Sequence, residues 1–480
     1  MVAAKDFTNF LIYRWRYILG YSIIALLLAG LLIFAGLYVP GGISAEETRA
    51  AVISDSLSLA NPASFAVANA PYYVLQASIF HLFGVYDFTI KLPSLILALF
   101  SAVGLIILLR RWFKPNIAVL ASMIAITTGQ FLFIGQNGAP GIMYAFWPIF
   151  LLLLGTQVTR AKKFRILWKL LFAAFAAASL YTPLSIYPLL AIAIAIALHP
   201  HLRAIVRRLS KLKIAASLLI AGVVITPLIF AIVTTPQLGL TLLGITTSVT
   251  WPPDLIANIL TLTRQFFLFW EPSTTALMTP VFGLGSVLLI LIGIYRIIKT
   301  RETTRSYLII FWIICLTPIL IINPRFTSVL FVPSVLLLAA GLTSLISYWY
   351  RLFPLNPYAR IAGLIPLIIL VVTLIGSGLD RYIYGYHYDP STAVNFSKDL
   401  KLIPKDTKNL IVADKELAFY KVVAKHRDGL NVSTAATTSE FTATRAARGN
   451  VDPAYAIDRI ITAPYSKDSD RLYIYKKTAQ

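Results

Sequence analysis

The chain has 480 residues, 58% of them hydrophobic and 13% charged, with a formal net charge of +22. That balance excludes an ordinary soluble protein, and apolar runs of about 16 to 24 residues recur, long enough to cross a hydrocarbon core as helices. The charge does not point to nucleic acid, because the Lys and Arg residues sit mostly in short loops between the apolar runs, where they orient helices. The short alternating segments of a membrane barrel are absent, and Cys315 is the only cysteine, so no intrachain disulfide forms.

Lys5, Arg14 and Arg16 precede a first span, Tyr17 to Leu37, which predicts a cytoplasmic N-terminus and an outer loop over residues 39–89. The first run is long enough to stay as an anchor rather than be cleaved. Spans two to four are predicted at Leu92 to Leu109, Asn116 to Ile134 and Ile142 to Val158. Basic clusters after Leu109 and Val158 fall on the inner side as the alternation requires, and Gly138, Pro140 and Gly141 make an outer turn. Spans five to seven follow at Ile166 to Tyr181, Leu184 to Leu198 and Ile214 to Val233. A second long outer loop covers 234–279, and spans eight to eleven run Val281 to Tyr295, Tyr307 to Ile322, Phe326 to Trp349 and Ile361 to Leu379.

The expected fold is therefore a multi-pass α-helical membrane protein of about eleven transmembrane helices, residues 1–379, with a small extracytoplasmic α/β domain over 380–480. In that tail, Asn409 to Ala413 and Arg471 to Tyr475 read as strands, and Lys415 to Lys425 and Phe441 to Arg448 as helices.

The span centres hold almost no ionisable side chains, unlike a proton or ion pathway. Polar candidates gather instead on the outer loops: Glu46, Glu47, Arg49 and Asp55 on the first, Asp254, Arg264 and Glu271 on the second. Glu46 and Glu47 open a helix, where its dipole alone would favour acids. Tyr72, Tyr73, Trp251 and Trp270 fit interfacial anchoring as well as a groove. His81 reads as a packed or interfacial side chain, and no histidine spacing makes a metal motif.

Three segments add a family resemblance. Glu46-Glu47-Thr48-Arg49-Ala50 follows the first span; Pro71-Tyr72-Tyr73-Val74-Leu75, Phe83-Gly84-Val85-Tyr86-Asp87-Phe88 and Lys91-Leu92-Pro93-Ser94 lead into the second; Asn323-Pro324-Arg325-Phe326 precedes Pro333 and Gly341. With this topology they resemble the GT-C glycosyltransferases that use polyprenyl-phosphate sugars, such as the protein O-mannosyltransferases and the lipid A aminoarabinose transferases.

The resemblance implies transfer of a sugar, with inversion, from a polyprenyl-phosphate carrier to a glycan, lipid or protein acceptor at the outer face of the plasma membrane. It implies Glu46 or Glu47 as the base, Arg325 and then Arg264 as the cation beside the leaving phosphate, and Asn69, Tyr72, Tyr73 and Trp270 as groove candidates. Membrane lipids are expected partners and nucleic acid is not; no cofactor is demanded, and a divalent metal is compatible. The sequence departs from the family pattern at Glu46, where an Asp is usual, at Asn69, where a basic residue is common, and in Gln136-Asn137-Gly138-Ala139-Pro140, which lacks an acid. A transporter or flippase of lipid-linked sugars, and a catalytically silent relative in envelope assembly, are the competing readings.

Overall fold

A computed structural model describes residues 22, 25–26, 28–30, 42–58, 60–161, 163–207, 210–245, 252–267, 282–352, 358, 362–385, 396–436, 438–462 and 471–477, a few side chains within these ranges excepted. The predicted first span lies mostly outside them.

Strand β1 (Ile43–Ser44) leads directly into α1 (Ala45–Ser56), and α2 (Ala70–Phe83) leads to α3 (Asp87–Trp112). The third predicted span is α4 (Pro115–Ile126) and α5 (Gly129–Gln136), bent by 60°. The break falls at two threonines. Thr127 Oγ1 donates to the Met123 carbonyl and Thr128 Oγ1 to that of Ala125, while Thr128 also accepts from the Phe131 amide and so caps α5. Apolar content runs on through the break, which is why hydropathy alone reads one span.

Helices α6 (Met143–Arg160), α7 (Arg165–Ser179) and α8 (Ile186–Leu198) follow. The short amphipathic α9 (Pro200–Arg207) turns 91° away from α8. Then come α10 (Lys211–Thr234), α11 (Pro236–Leu242), α12 (Leu255–Phe267), α13 (Leu284–Lys299), α14 (Thr304–Ile322), α15 (Phe331–Leu352) and α16 (Leu364–Asp380). Among the described residues, six helices are long and apolar enough to cross a membrane, or eight if each bent pair is one span. The rest of the predicted spans are shorter: α7 has 15 residues and α13 has 16, below the roughly 20 that a perpendicular crossing needs.

Helices α13 and α15 pack through Gly293 and Gly341. A Cβ on Gly293 would strike the Leu337 carbonyl, and one on Gly341 the Leu289 carbonyl, so the two backbones touch. In lipid, where burying apolar surface drives little association, such close approach supplies the packing. Gly341→Leu is expected to part the two helices and sharply reduce the monodisperse fraction recovered by size-exclusion chromatography.

The tail forms a five-stranded sheet of order β4 (Asn431–Ser433), β3 (Asn409–Ile411), β5 (Glu440–Thr444), β7 (Leu472–Lys477) and β6 (Tyr455–Ile461). β3 is parallel to both neighbours; β7 is antiparallel to both of its own. Helix α17 (Asp414–Lys425) matches expectation, but Phe441 to Arg448 is not a helix. Its first half is β5 and its second a 3₁₀ turn, Arg445–Asn450. Phe441, Thr442, Ala443 and Thr444 are all buried inside the sheet, where β-branched threonines are favoured and the local helical pattern is overridden.

The tail is stitched to the segment that carries β1, α1 and α2. β1 pairs antiparallel with β2 (Phe396–Lys398). Ile43, Ala51, Phe80 and Ile90 share one apolar core with Leu400, Val412, Phe419 and Leu430. Lys425 Nζ lies 2.8 Å and His426 Nε2 3.3 Å from Asp55 Oδ1, and Asp87 Oδ1 accepts from the Leu400 amide at 3.1 Å. Helix α1 is thus held from the membrane side and from the tail.

Candidate active site

The site begins with Ser44-Ala45-Glu46-Glu47, a Ser-x-x-Glu capping box. Ser44 Oγ accepts from the Glu47 amide at 3.2 Å, and Glu47 Oε2 accepts from the Ser44 amide at 2.6 Å. The two adjacent acids therefore part company. Glu47 is fully enclosed: its Oε1 also accepts from Lys91 Nζ at 3.0 Å and from the Gly138 amide at 2.6 Å. Lys91 is itself only 2% exposed, so the pair is a buried ion bridge between α1 and α3. Glu46, one residue earlier, points to open space, with Asn137 Nδ2 at 3.5 Å from its Oε2.

Gly138 is fixed by the same network. Gln76 Nε2 donates to the Ile90 carbonyl at 2.9 Å and the Gly138 carbonyl at 3.3 Å, while Gln76 Oε1 accepts from Ser54 at 2.7 Å. A Cβ on Gly138 would sit 2.5 Å from the Ile90 carbonyl oxygen. Gly138→Ala is accordingly expected to shift the turn off Glu47, lowering the thermal midpoint by several degrees and, with it, any activity that depends on Glu46; a midpoint equal to wild type would show that the turn accommodates the methyl.

Two tyrosines lie within electrostatic reach of Glu46. Burial pushes the Tyr73 phenol up to about 12, Arg49 drawing it down and Glu46 pushing it further up, so it remains a neutral donor at ordinary pH. Tyr144 of α6 also feels Tyr73 and Glu46 electrostatically, and its ring meets Phe326 edge-on at 6.0 Å between centroids. Phe326 belongs to the 3₁₀ segment Pro324–Leu330 between α14 and α15. Tyr144 is thus a neighbour of the Asn323-Pro324-Arg325-Phe326 motif and lies within electrostatic reach of Glu46.

The remaining predicted residues are distributed less evenly. Tyr72 is a core residue whose hydroxyl lies 2.8 Å from Ser94 Oγ, and burial raises its phenol further than that of Tyr73. Asn69 starts α2 in the left-handed region, φ 62°, a conformation asparagine tolerates. Its amide donates to the Tyr181 carbonyl at 2.7 Å, and its Oδ1 is buried without a hydrogen-bond partner. Arg264 is exposed on α12, which docks on the end of α14 through Asn258 Nδ2 and the Ile322 carbonyl at 3.1 Å. No hydrogen bond or ion pair joins Arg264 to the Glu46 group among the described residues. The backbone of Arg325 lies in the segment just named, its side chain is outside the described set, and Trp270 is outside it entirely.

Sequence reasoning missed the roles of Lys91, Gln76, Asn137 and Tyr144. The Ser-x-x-Glu box was the available signal that Glu47 turns inward; nothing local marks Lys91 as its partner. Among the described residues no three His, Cys, Asp or Glu side chains group as a metal site.

The model of the dolichyl-phosphate-mannose-protein mannosyltransferase family matches residues 70–230, from the start of α2 through most of α10. The backbone superposes on ArnT from Cupriavidus metallidurans bound to undecaprenyl phosphate, with a TM-score of 0.55 at 12% identity, covering 95% of this chain and 98% of that one. The chain has the GT-C glycosyltransferase fold. The GT-C likeness extends to the oligosaccharyltransferase of Archaeoglobus fulgidus in its apo form, TM-score 0.53 at 13% identity, where 87% of this chain covers 65% of the other. The AglB structure from that organism, in complex with an inhibitory peptide and a dolichol-phosphate, matches at 0.51 and 13% identity over 87% of this chain and 64% of its own. No curated protein matches in sequence. The GT-C resemblance carried by the three sequence segments is thereby borne out.

Proposed function

We propose that this protein is a membrane glycosyltransferase that moves a sugar from a polyprenyl-phosphate donor to a hydroxyl-bearing glycan, lipid or protein acceptor at the outer face of the plasma membrane. The observation that carries the reading is the division between the two acids: Glu47 is locked into the scaffold, and Glu46 is left open beside Asn137, Tyr73, Tyr144 and the Phe326 segment. Glu46 accepts the proton of the acceptor hydroxyl as that oxygen attacks the anomeric carbon. The bond from that carbon to the phosphate breaks on the opposite side, which inverts the centre and releases polyprenyl phosphate. Arg325, adjacent to Phe326, balances the charge that develops on the leaving phosphate. Arg264 and Trp270 are assigned to the second outer loop's side of the donor groove, and Asn69, with its unpaired Oδ1, to its wall. Glu47 and Tyr72 act as positioning residues. The neighbours bound to undecaprenyl phosphate and dolichol-phosphate support the carrier class.

In this reading the chain crosses the membrane eleven times, its N-terminus is cytoplasmic, and the domain from residue 380 lies outside. One observation favours the transport alternative, the 60° break between α4 and α5, since transporters bind at interrupted helices. The break is nevertheless nearly closed by protein: its threonines are internally bonded, Gly378 packs on the Thr127 carbonyl, and the space left beside Thr128 and Gln130 is only about 30 Å³. The two are separated with membranes containing the protein and a panel of radiolabelled polyprenyl-phosphate sugars. Protein-dependent appearance of label in an acceptor supports the transferase; label that changes leaflet and stays on its carrier overturns it.

A further inference from the structure

At the other end of the bundle is a cavity of about 480 Å³. It opens where α3, α6 and α14 end or begin on the basic side: Trp112 closes α3, Arg160 closes α6, and Thr304 and Arg305 open α14. The Glu46 group sits by the opposite ends of the same helices. The group meets α3 at Lys91 and the cavity meets it at Trp112, so the two places are about 32 Å apart along its axis at about 1.5 Å per residue.

The cavity has two chemically distinct parts. Its walls are apolar, built by Leu151, Leu152 and Phe172 and by Ile192, Ile196 and Leu308. Its mouth is cationic. Arg160 Nη1 donates to the Arg111 carbonyl at 3.0 Å. Arg305 donates to the Trp112 carbonyl and stacks over Phe113, 5.1 Å from the ring centroid. Arg305 faces Arg160 and Arg296 as like charges, and among the described residues none of the three is paired with a carboxylate. Carbonyl contacts place the guanidinium groups without neutralising them. Thr303 and Thr304 line the same mouth, and α9, at 91° to α8, contributes His201, Leu202 and Ile205. A short amphipathic helix turned out of the bundle in this way lies along the headgroup plane.

We propose that this cavity binds one phosphate-bearing anionic phospholipid, headgroup on Arg160 and Arg305 and one acyl chain between α6, α8 and α14. Charge complementarity selects the occupant. A free phosphate has no use for the apolar wall, and a zwitterionic lipid brings no net charge to the arginines. The inference does not depend on the proposed glycosyl transfer: the lipid is a bound structural ligand, neither donor nor acceptor.

The test uses the purified full-length protein in zwitterionic detergent. Thermal unfolding is followed with phosphatidylglycerol, phosphatidylcholine or inorganic phosphate added, and retained lipid is counted by native mass spectrometry. Phosphatidylglycerol is expected to raise the midpoint by about 3 °C or more, with one lipid retained, while the other two additives leave it in place. The R160Q/R305Q double variant should need about tenfold more lipid for the same shift. Ile196→Trp, which fills the cavity and keeps both arginines, should abolish the shift, and Arg301→Gln, a basic-side residue outside the cavity, should not alter it. Equal stabilisation by phosphatidylcholine, full stabilisation by inorganic phosphate, or an unchanged response of Ile196→Trp would each overturn the proposal. Should the double variant not fold, Ile196→Trp alone decides it.

Discussion

Glu46→Gln is expected to lower sugar transfer by about a hundredfold or more, the loss typical of removing a general base, while the folded protein is recovered in wild-type yield. The two halves of that expectation have separate structural grounds. The Glu46 carboxylate is exposed, and its one described hydrogen-bond neighbour, Asn137 at 3.5 Å, is at the limit of a bond. Glutamine keeps the size and can still meet Asn137, so nothing in the scaffold is lost. What disappears is the ability to take a proton. The measurement is turnover at saturating donor and acceptor across a pH series: if the base is missing, kcat falls at every pH. A Glu46→Gln protein with near-wild-type kcat would remove this residue from the chemistry, and Tyr73 and Tyr144 would then have no reaction beside them.

Lys91→Met should produce the opposite pattern, a protein that is damaged before any chemistry is tested. Removing the ammonium leaves the Glu47 carboxylate enclosed with only the Ser44 and Gly138 amides, and breaking a buried pair from one side costs about 3 to 5 kcal/mol. That is a large part of the stability of an ordinary domain. The expected result is a midpoint lower by many degrees, or loss of the protein from the membrane. Lys91→Met combined with Glu47→Gln should recover much of the loss, because the neutral amide no longer needs the cation, although its own group can satisfy only some of the donors around it. Recovery in the double variant with transfer still reduced would show that the bridge sets the position of α1 as well as holding it. If Lys91→Met alone were as stable as wild type, the bridge would not be supporting the ledge that carries Glu46.

Much of the membrane part was legible because a helix in lipid has to satisfy its backbone internally and present apolar side chains for its whole length. Leu92 to Leu109, Ile214 to Val233 and Phe326 to Trp349 fall inside α3, α10 and the continuous stretch that ends in α15. The break at Thr127 was not legible, since it is made by hydroxyls bonding back to their own helix and by a glycine of α16, 251 positions later in the chain, packing on the Thr127 carbonyl. In the tail, Phe441 to Arg448 contains a pattern that suits a helix in isolation, and the neighbours that make its first half a strand, β3 and β7, pair with it from both sides.

The site was legible as a pair of acids on an outer loop and illegible as a division of labour. Which of two adjacent glutamates is free depends on Lys91 and Gly138, 44 and 91 positions from Glu47. No reading of the local motif supplies those partners. The missing acid in Gln136-Asn137-Gly138 looked like a defect in the family pattern. In the structure that stretch gives Glu47 an amide and places Asn137 against Glu46, so the turn serves both carboxylates without adding a third.

The pairing of β1 with β2 has a consequence for biogenesis. Glu46 leaves the ribosome long before its support does: the strand that braces its helix is about 350 residues further on and the side chains that clamp Asp55 are later still. The ledge therefore cannot be finished during translation of the membrane part. A message cut short anywhere before those codons would insert most of its helices normally and still leave the proposed site around Glu46 incomplete.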